Sequence, residues 1–350
     1  KKRVTLREIA DATGFTINTV SRAIKNQSVI SESTRKLIQA KARELGYTPN
    51  RAATALRLGR THTIALIVGY LVNPFFGMLF EHASHAAEEM GYTLILFSSN
   101  EDDESEAKAI QAAIAYGVDG ILLVPCQKSN ASLLRFQESG TPFVLLAREF
   151  PNEPIDCALC DEEQGGYLAA QHLLSVGHRK LAYVYEDDTI YSITQRRAGF
   201  MRAVREHGLP ESDVRYLHML DKNGWLDAPC IARQAAALYR EEGFTGFVVF
   251  CDMRAWHIIA ELRRLDVFVG RDIGVIGFDN IDAIAPSPLP LCSVGSDYAR
   301  MCREALALLD SRVKGDSSAP HRLVYPAEVF CRESCGGDVG DEKDVGRRLF

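Results

Sequence analysis

The 350-residue sequence has no apolar run of the roughly 20 residues that a membrane-spanning helix requires. Its first 60 residues are basic and amphipathic, without the apolar core of a secretory signal. Tandem repeats and low-complexity tracts are also missing. We therefore expect a globular, cytoplasmic protein, and its length favours two or three domains.

Motifs of common enzyme classes are missing as well. The sequence has no G-x-S-x-G nucleophile motif, no phosphate-binding loop, and no G-x-G-x-x-G after its first predicted strand. We therefore predict a protein that is not an enzyme and that requires no cofactor.

The cysteine residues favour reduced thiols. Nine cysteines, an odd number, in a chain expected to be cytoplasmic argue for free thiols rather than disulfides. Cys157 and Cys160 have the C-x-x-C spacing of redox and zinc sites, but no second pair follows at ligand distance. Because the surrounding DCALCD is typical of a strand, we interpret both as buried structural thiols and predict no metal site.

Charge is distributed unevenly along the chain. The net charge is −6, yet residues 1–60 carry 13 Lys and Arg against 4 Asp and Glu, a local charge of +9. The remaining residues carry −15. A basic module on an acidic body is typical of a protein whose one end binds a polyanion such as nucleic acid.

The basic region contains the pattern of two short helices joined by a glycine turn. The inner face of the first helix has residues at i, i+3, i+4 and i+7, namely Leu6, Ile9, Ala10 and Thr13. Gly14 breaks the pattern and suits a tight turn. Val20 and Ile24 give the second helix an inner face, and its outward side chains are Ile17, Asn18, Ser21 and Arg22. This arrangement predicts a helix-turn-helix.

A third helix and a short hinge follow this pattern. Ser31 can cap the third helix, and Gly46 ends it. Residues 51–56, RAATAL, predict one short helical segment after the Pro49 turn. Six residues are too few to be stably helical alone in water, so this segment is a candidate order–disorder switch.

From residue 61 onward the sequence alternates apolar strand-like runs with helical stretches. The predicted strands lie at 64–68, 93–97, 120–124, 143–147, 181–185, 247–251 and 273–278. Such alternation predicts parallel sheets covered on both faces, and the length favours two α/β lobes. The proline-rich stretch at 286–290 is a candidate crossover between the lobes.

Short motifs along residues 4–334 resemble one bacterial family. They are Val4-Thr5-Leu6, Thr19-Val20-Ser21-Arg22, Leu45-Gly46-Tyr47-Thr48-Pro49-Asn50, Asn73-Pro74-Phe75-Phe76, Val118-Asp119-Gly120-Ile121, His172-Leu173-Leu174 with Gly177-His178, Arg196-x-x-Gly199-Phe200 and Gly277-Phe278-Asp279. In this order they resemble the lactose-repressor/galactose-repressor (LacI/GalR) family of transcription regulators.

The resemblance implies a domain organisation. A small all-α helix-turn-helix headpiece occupies 1–48 and a hinge helix with linker occupies 49–60. An α/β core of two parallel-sheet lobes, like type I periplasmic binding proteins, spans 61–334. The expected lobes are about 61–158 with 291–320, and about 159–288 with 321–334, followed by a polar tail at 335–350. The family also implies that the core dimerises.

The predicted DNA contacts lie in the headpiece and hinge. Arg22 can donate two parallel hydrogen bonds to guanine, Asn18 can pair with adenine, and Ile17 can contact a thymine methyl. Side chains suited to phosphates are Thr16, Ser21, Thr34 and Asn50. The set is completed by Thr5, Arg51, Ala53 and Leu56. In the family, the leucine at the position of Leu56 inserts into a central base step of the minor groove when the hinge folds on the operator.

The resemblance also places effector contacts in the core, at Asn73, Phe75, Arg148, Arg196, Asp252 and Asp279. Carboxylates and guanidinium groups facing a cleft can bind neighbouring sugar hydroxyls, and Phe75 or Trp225 can cover an apolar sugar face. The sequence departs from the family pattern at Ala147-Arg148, Asp161-Glu162 and Phe250-Cys251-Asp252, so no known member's effector carries over. An interlobe salt bridge without ligand is the alternative role of Arg148, and the surplus of arginine leaves room for an acidic sugar.

These features predict a homodimeric regulator that binds a pseudo-palindromic DNA operator. We expect it to repress carbohydrate-utilisation genes until a sugar or sugar derivative releases it. One alternative is a regulator that requires its ligand as corepressor, as purine-type members do. A sugar-binding transport protein is opposed by the basic headpiece and the lack of a signal, and a sugar- or nucleoside-processing enzyme by the missing catalytic motifs.

Overall fold

A computed structural model describes residues 4–47, 60–186, 189–219, 227–283 and 289–336. They belong to two compact units, Lys1–Thr61 and His62–Phe350. The predicted hinge helix at 51–56 and residues 337–350 of the predicted tail lie outside the described residues. None of the helices in the described segments combines the length and the apolar character that crossing a membrane demands.

The first unit contains the predicted helix-turn-helix, followed by the third helix: α1 (Leu6–Thr13), α2 (Ile17–Ile24) and α3 (Glu32–Glu44). Thr5 and Glu8 form a reciprocal capping box at the start of α1. Gly14 ends α1 with a φ of 75°, as the turn requires. Ile9 and Val20 are fully buried between the helices, so the inner faces read from the sequence are correct.

The second unit contains two six-stranded sheets. The strands of the first sheet are β1 (Thr63–Val68), β2 (Thr93–Ser98), β3 (Gly120–Leu123), β4 (Phe143–Leu146), β5 (Cys157–Cys160) and β11 (Arg322–Tyr325). They are parallel and lie in the order β11-β5-β4-β3-β1-β2. The predicted parallel sheet of apolar strands is therefore confirmed.

The strands of the second sheet are β6 (Leu181–Tyr185), β7 (Val214–His218), β8 (Gly246–Val249), β9 (Gly274–Phe278), β10 (Cys292–Gly295) and β12 (Glu328–Phe330). Their order is β12-β10-β9-β8-β6-β7, and only β12 runs antiparallel among these strands. We call the two sheets with their helices the first and second lobe.

Helices cover both faces of each sheet. In the first lobe they are α4 (Pro74–Glu89), α5 (Asp103–Ala115), α6 (Ala131–Ser139) and α11 (Tyr298–Val313). In the second lobe they are α7 (Glu162–Ser175), α8 (Tyr191–Glu206), α9 (Ala228–Ala237) and α10 (Asp252–Arg264). Short irregular turns of helix occur at Glu211–Asp213, Leu238–Glu242, Ile281–Ala283 and Glu333–Cys335. Helices α4 and α11 share one face of the first sheet, and α7 and α8 share one face of the second.

Two glycines let α7 and α8 approach each other backbone to backbone. A Cβ atom added at Gly166 would lie 1.8 Å from the carbonyl oxygen of Arg196, and one added at Gly199 would lie 1.7 Å from that of Glu163. No side chain fits at either position. This close packing brings the middle of α8 against the first turn of α7, which places Arg196 beside Glu162.

The predicted lobe boundaries are wrong at two strands. Cys292–Gly295, predicted for the N-terminal lobe, pairs with β9 in the second sheet. Arg322–Tyr325, predicted for the C-terminal lobe, pairs with β5 in the first sheet. Most of the predicted crossover at 286–290 lies outside the described residues, and β9 and β10 on either side of it are neighbours in one sheet. The chain instead crosses after β5, after β10 and after β11.

Candidate functional site

A cavity of about 220 Å³ lies between the two lobes of the second unit. Predicted effector residues that line it are Asn73, Phe75, Arg148, Arg196 and Asp279. Several of these follow the carboxyl end of a parallel strand, where ligands of open α/β sheets bind. Trp225 lies outside the described residues, and Asp252 lies elsewhere.

Arg196 is a buried part of the cavity wall. Its Nε and Nη2 donate to the two carboxylate oxygens of Glu162 at 2.5 and 3.0 Å, and its Nη1 donates to the Phe250 carbonyl at 2.6 Å. Asp279 Oδ1 lies 3.6 Å from Nη2, and the guanidinium stacks over the Phe278 ring. Since Arg196 is only 7% exposed, its orientation is fixed before any ligand arrives.

Asp279 has a raised carboxyl pKa and an uncommon backbone conformation. Burial raises its pKa to about 7, although the neighbouring Arg196 acts in the opposite direction. Its backbone has a φ of 100°, which is rare for a residue other than glycine. Strain of this kind is often found at functional sites, and here it follows directly on the end of β9.

Arg148 approaches the cavity from the first lobe. Ala147, with a φ of 61°, turns the chain at the end of β4. Nη1 and Nη2 of Arg148 donate to Glu101 at 2.7 and 3.0 Å, and Nη1 also donates to the Pro125 carbonyl at 2.9 Å. The ion pair therefore joins two loops of one lobe, and the interlobe salt bridge offered as an alternative for Arg148 is wrong.

Asn73 and Phe75 begin the helix that faces the cavity. Asn73 is the N-cap of α4, and its Oδ1 accepts a hydrogen bond from the Phe75 N–H at 3.1 Å. The Phe75 ring packs edge-on against Tyr298 and is 9% exposed. It therefore offers a ligand an apolar edge more readily than an open stacking face.

Asp252 does not belong to the cavity wall. It is fully buried, and the Ser293 hydroxyl donates to its carboxylate at 2.8 Å while the Ile281 N–H donates at 2.9 Å. Burial raises its pKa well above the ordinary value. A Cβ atom at Gly277 would lie 2.0 Å from Asp252 Oδ1, so the close approach of this strand leaves no room for a ligand. The predicted role of Asp252 in effector binding is therefore wrong.

Sequence reasoning missed several charged residues of the cavity, among them Glu101, Glu186 and Arg254. Arg254 Nη2 donates to Glu186 at 3.0 Å, whereas its Nε–H is buried without a hydrogen-bond partner among the described residues. A buried donor without a partner is costly unless a ligand or water completes it. Glu162 was visible in the sequence as a departure from the family pattern. The others pair with residues 47 or 68 positions away, which no local pattern reveals.

Cys157 and Cys160 do not form a ligand pair. Both are buried on β5, but their side chains belong to different hydrophobic cores, that of Cys157 to a core of the first lobe and that of Cys160 to a core of the second. A strand places residues three apart on opposite faces. Burial raises the pKa of Cys157 to about 12, as expected for an inert structural thiol.

The headpiece presents the predicted reading face to solvent. Asn18 and Arg22 are exposed one turn apart on α2, and Ile17 is 44% exposed. Thr16 caps α2 by accepting from the Thr19 N–H, and no acidic residue occupies the first turn. This helix N-terminus can therefore receive a phosphate. Ser21 and Thr34 are half-buried, Thr5 is a cap, and Asn50, Arg51, Ala53 and Leu56 lie outside the described residues.

Three protein-family descriptions match the chain. Residues 5–50 match "Bacterial regulatory proteins, lacI family". Residues 61–239 match "Periplasmic binding proteins and sugar binding domain of LacI family", and residues 170–335 match a periplasmic binding protein-like domain.

Individual proteins are similar over nearly the full length. The HTH-type transcriptional regulator DegA of Bacillus subtilis is 30% identical over 95% of this chain and 98% of its own. The HTH-type transcriptional repressor PurR of Aliivibrio salmonicida is 27% identical over 94% of this chain and 98% of its own. A solved transcriptional regulator CelR–cellobiose complex covers 95% of this chain and 100% of its own, with a TM-score of 0.67 and 26% identity.

Proposed function

Because the chain belongs to the lacI family of bacterial regulatory proteins, we propose that it is a DNA-binding transcription regulator controlled by a small ligand between its two lobes. The observation that carries this proposal is the combination of two sites in one chain. One is an exposed reading face on a basic headpiece, and the other is a cavity lined by oriented charged side chains.

The cavity favours a ligand rich in hydroxyl groups. Four acidic and four basic residues line it: Glu101, Glu162, Glu186, Asp279, Lys128, Arg148, Arg196 and Arg254. Equal numbers of opposite charges do not select a strongly charged ligand, which weakens the acidic-sugar alternative. Carboxylates and guanidinium groups aimed into one cavity can accept from and donate to adjacent hydroxyls. A sugar or sugar derivative is the ligand class that this chemistry supports best.

The ligand can change operator binding in either of two directions. If the ligand releases the protein from its operator, the chain is a repressor of carbohydrate-utilisation genes induced by their substrate. If the ligand strengthens operator binding, it is a corepressor. The internally neutralised cavity suits an uncharged inducer, so we propose the first.

The hinge carries the signal between the two sites in this proposal. Leu56 is a large apolar residue of the linker, and two copies of residues 51–56 in a dimer can fold together in a widened minor groove. Replacing Leu56 with Ala should leave non-specific DNA binding nearly intact and reduce operator affinity and bending. A circular-permutation bending assay measures this, and an unchanged bend with unchanged affinity would remove the support for the insertion.

The proposed function is tested on the purified full-length protein in two steps. Selection from random duplex DNA should yield a pseudo-palindromic site, as a homodimer requires. A thermal-shift screen against sugars and nucleosides should then identify a ligand, since one present at 100 times its Kd stabilises the folded state by about 2.7 kcal/mol. Fluorescence anisotropy with the selected site should show that this ligand changes DNA affinity. Failure to select any DNA sequence would contradict the proposal.

A further inference from the structure

A cluster of cysteine and histidine side chains lies in the second lobe, away from the cavity. One ligand atom each of His172, Cys292 and Cys335 lie within 4.8 Å of one another. Cys331 Sγ adds a fourth, 3.7 Å from His172 Nδ1. The donors come from the last turn of α7, the start of β10 and the segment around the final turn of helix, Glu333–Cys335.

The donor set and its spacing suit a tetrahedral zinc-type ion after a contraction of the cluster. Zinc binds cysteine sulfur at roughly 2.3 Å and histidine nitrogen at roughly 2.0 Å, so tetrahedral ligand atoms are separated by roughly 3.6 Å. The distance from Cys331 Sγ to His172 Nδ1, 3.7 Å, is close to this value. The ligand atoms of His172, Cys292 and Cys335, within 4.8 Å of one another, approach by up to about 1.2 Å when an ion binds. Three cysteines with one histidine form a common structural zinc set.

The surrounding chain holds these donors in place. The Ser334 hydroxyl donates to the Val275 carbonyl at 2.6 Å and accepts from the Cys292 N–H at 2.7 Å. The Arg332 N–H points at Cys292 Sγ from 3.0 Å. The Arg332 guanidinium donates to the Asn280 side chain and the Leu291 carbonyl. The segment is thus anchored on both sides of its cysteines.

His172 Nδ1, the nitrogen that lies near Cys331 Sγ, is the one that can share an ion with it, and the buried Nε2 has no hydrogen-bond partner among the described residues. A thiolate is the form that binds a metal.

We propose that Cys292, Cys331, Cys335 and His172 bind one zinc-type, thiophilic divalent cation. With four protein ligands the site is closed, so its role is structural rather than catalytic. The ion joins the end of the described chain to α7 and β10. Helix α7 begins at Glu162, the partner of Arg196, so the ion supports the scaffold of the cavity wall from its far end. Exposed Cys331 leaves a route of entry from solvent.

Metal analysis of the full-length protein, expressed with zinc sulfate, tests this proposal. We expect about one zinc ion per chain, and we expect cobalt(II) exchanged into the site to show the absorption of tetrahedral thiolate coordination. Cys331→Ser should weaken zinc affinity by at least about tenfold. Cys230→Ser, at a half-buried cysteine of the same lobe, should leave it unchanged.

Cys292 is buried, so a Cys292→Ser protein can fail to fold for reasons unrelated to metal binding. The test therefore relies on the cobalt spectrum of the unsubstituted protein and on Cys331→Ser, since Cys331 is exposed. Absence of zinc together with absence of thiolate-to-cobalt absorption would overturn the proposal. A Cys292–Cys335 disulfide in the protein purified without reductant, found by peptide mapping, would overturn it as well, because oxidised sulfurs do not bind the ion.

Discussion

The headpiece and the interlobe cavity use arginine in opposite ways. Arg22 is exposed on α2 and has no salt bridge within residues 4–47. Arg196 is buried and committed to Glu162, Asp279 and a backbone carbonyl. DNA is negatively charged, so an exposed arginine can stay hydrated in the free protein and be neutralised when DNA binds. A small uncharged ligand brings none, so a buried arginine must be neutralised by the protein itself.

The largest expected effect of this difference is on stability. Arg196→Met leaves Glu162 and Asp279 buried without their cation, and should lower the free energy of unfolding by about 3–5 kcal/mol. Arg205→Met, at an exposed position near the end of the same helix, should change it by less than about 0.5 kcal/mol. Urea denaturation measures both. Equal stability of the two variants would show that Arg196 is not neutralised in the way the contacts indicate.

The second expected effect is a pH dependence of stability that comes from the cavity and not from the headpiece. The folded-state pKa of Asp279, about 7, lies above its ordinary value of 3.8, so the folded protein binds a proton more tightly than the unfolded chain. The stability from this proton is present below about pH 4 and is lost as pH rises through about 7. Asp279→Asn should therefore become steadily more stable relative to wild type between roughly pH 5 and 8. A constant difference in unfolding free energy across this range would contradict the raised pKa.

The headpiece should show effects on binding without effects on stability. Arg22→Ala should cost about 1–3 kcal/mol on the selected operator and relax specificity at one base position. Lys25→Ala should weaken all DNA alike and reduce the salt dependence of binding. Anisotropy titrations on operator and random DNA at several salt concentrations separate these outcomes. An equal loss on both DNAs for Arg22→Ala would mean that it contacts phosphate.

The headpiece and the cavity also differ in how well the sequence predicts them. Gly14 and Ser31 are local signals, and they end and cap a helix as predicted, whereas the capping role of Thr5 was not predicted. The apolar runs likewise predict the strands. The exchange of β10 and β11 between lobes has no local signal, because both are four-residue strands whose partners are chosen by long-range packing. The contacts of Ser293 with Asp252 and of Glu101 with Arg148 join residues far apart in the chain, so their spacing in the sequence does not predict them.

The central claim is that a ligand between the lobes controls DNA binding by the headpiece. The most direct measurement is the operator affinity of full-length wild type and Asp279→Asn, each with and without the ligand identified by the thermal-shift screen. We predict that wild-type affinity falls when the ligand is added. The Asp279→Asn protein should bind operator without ligand but should respond weakly or not at all, because a charge-assisted contact in the cavity is lost. An equal ligand response in both proteins would contradict the claim and place the effector outside this cavity.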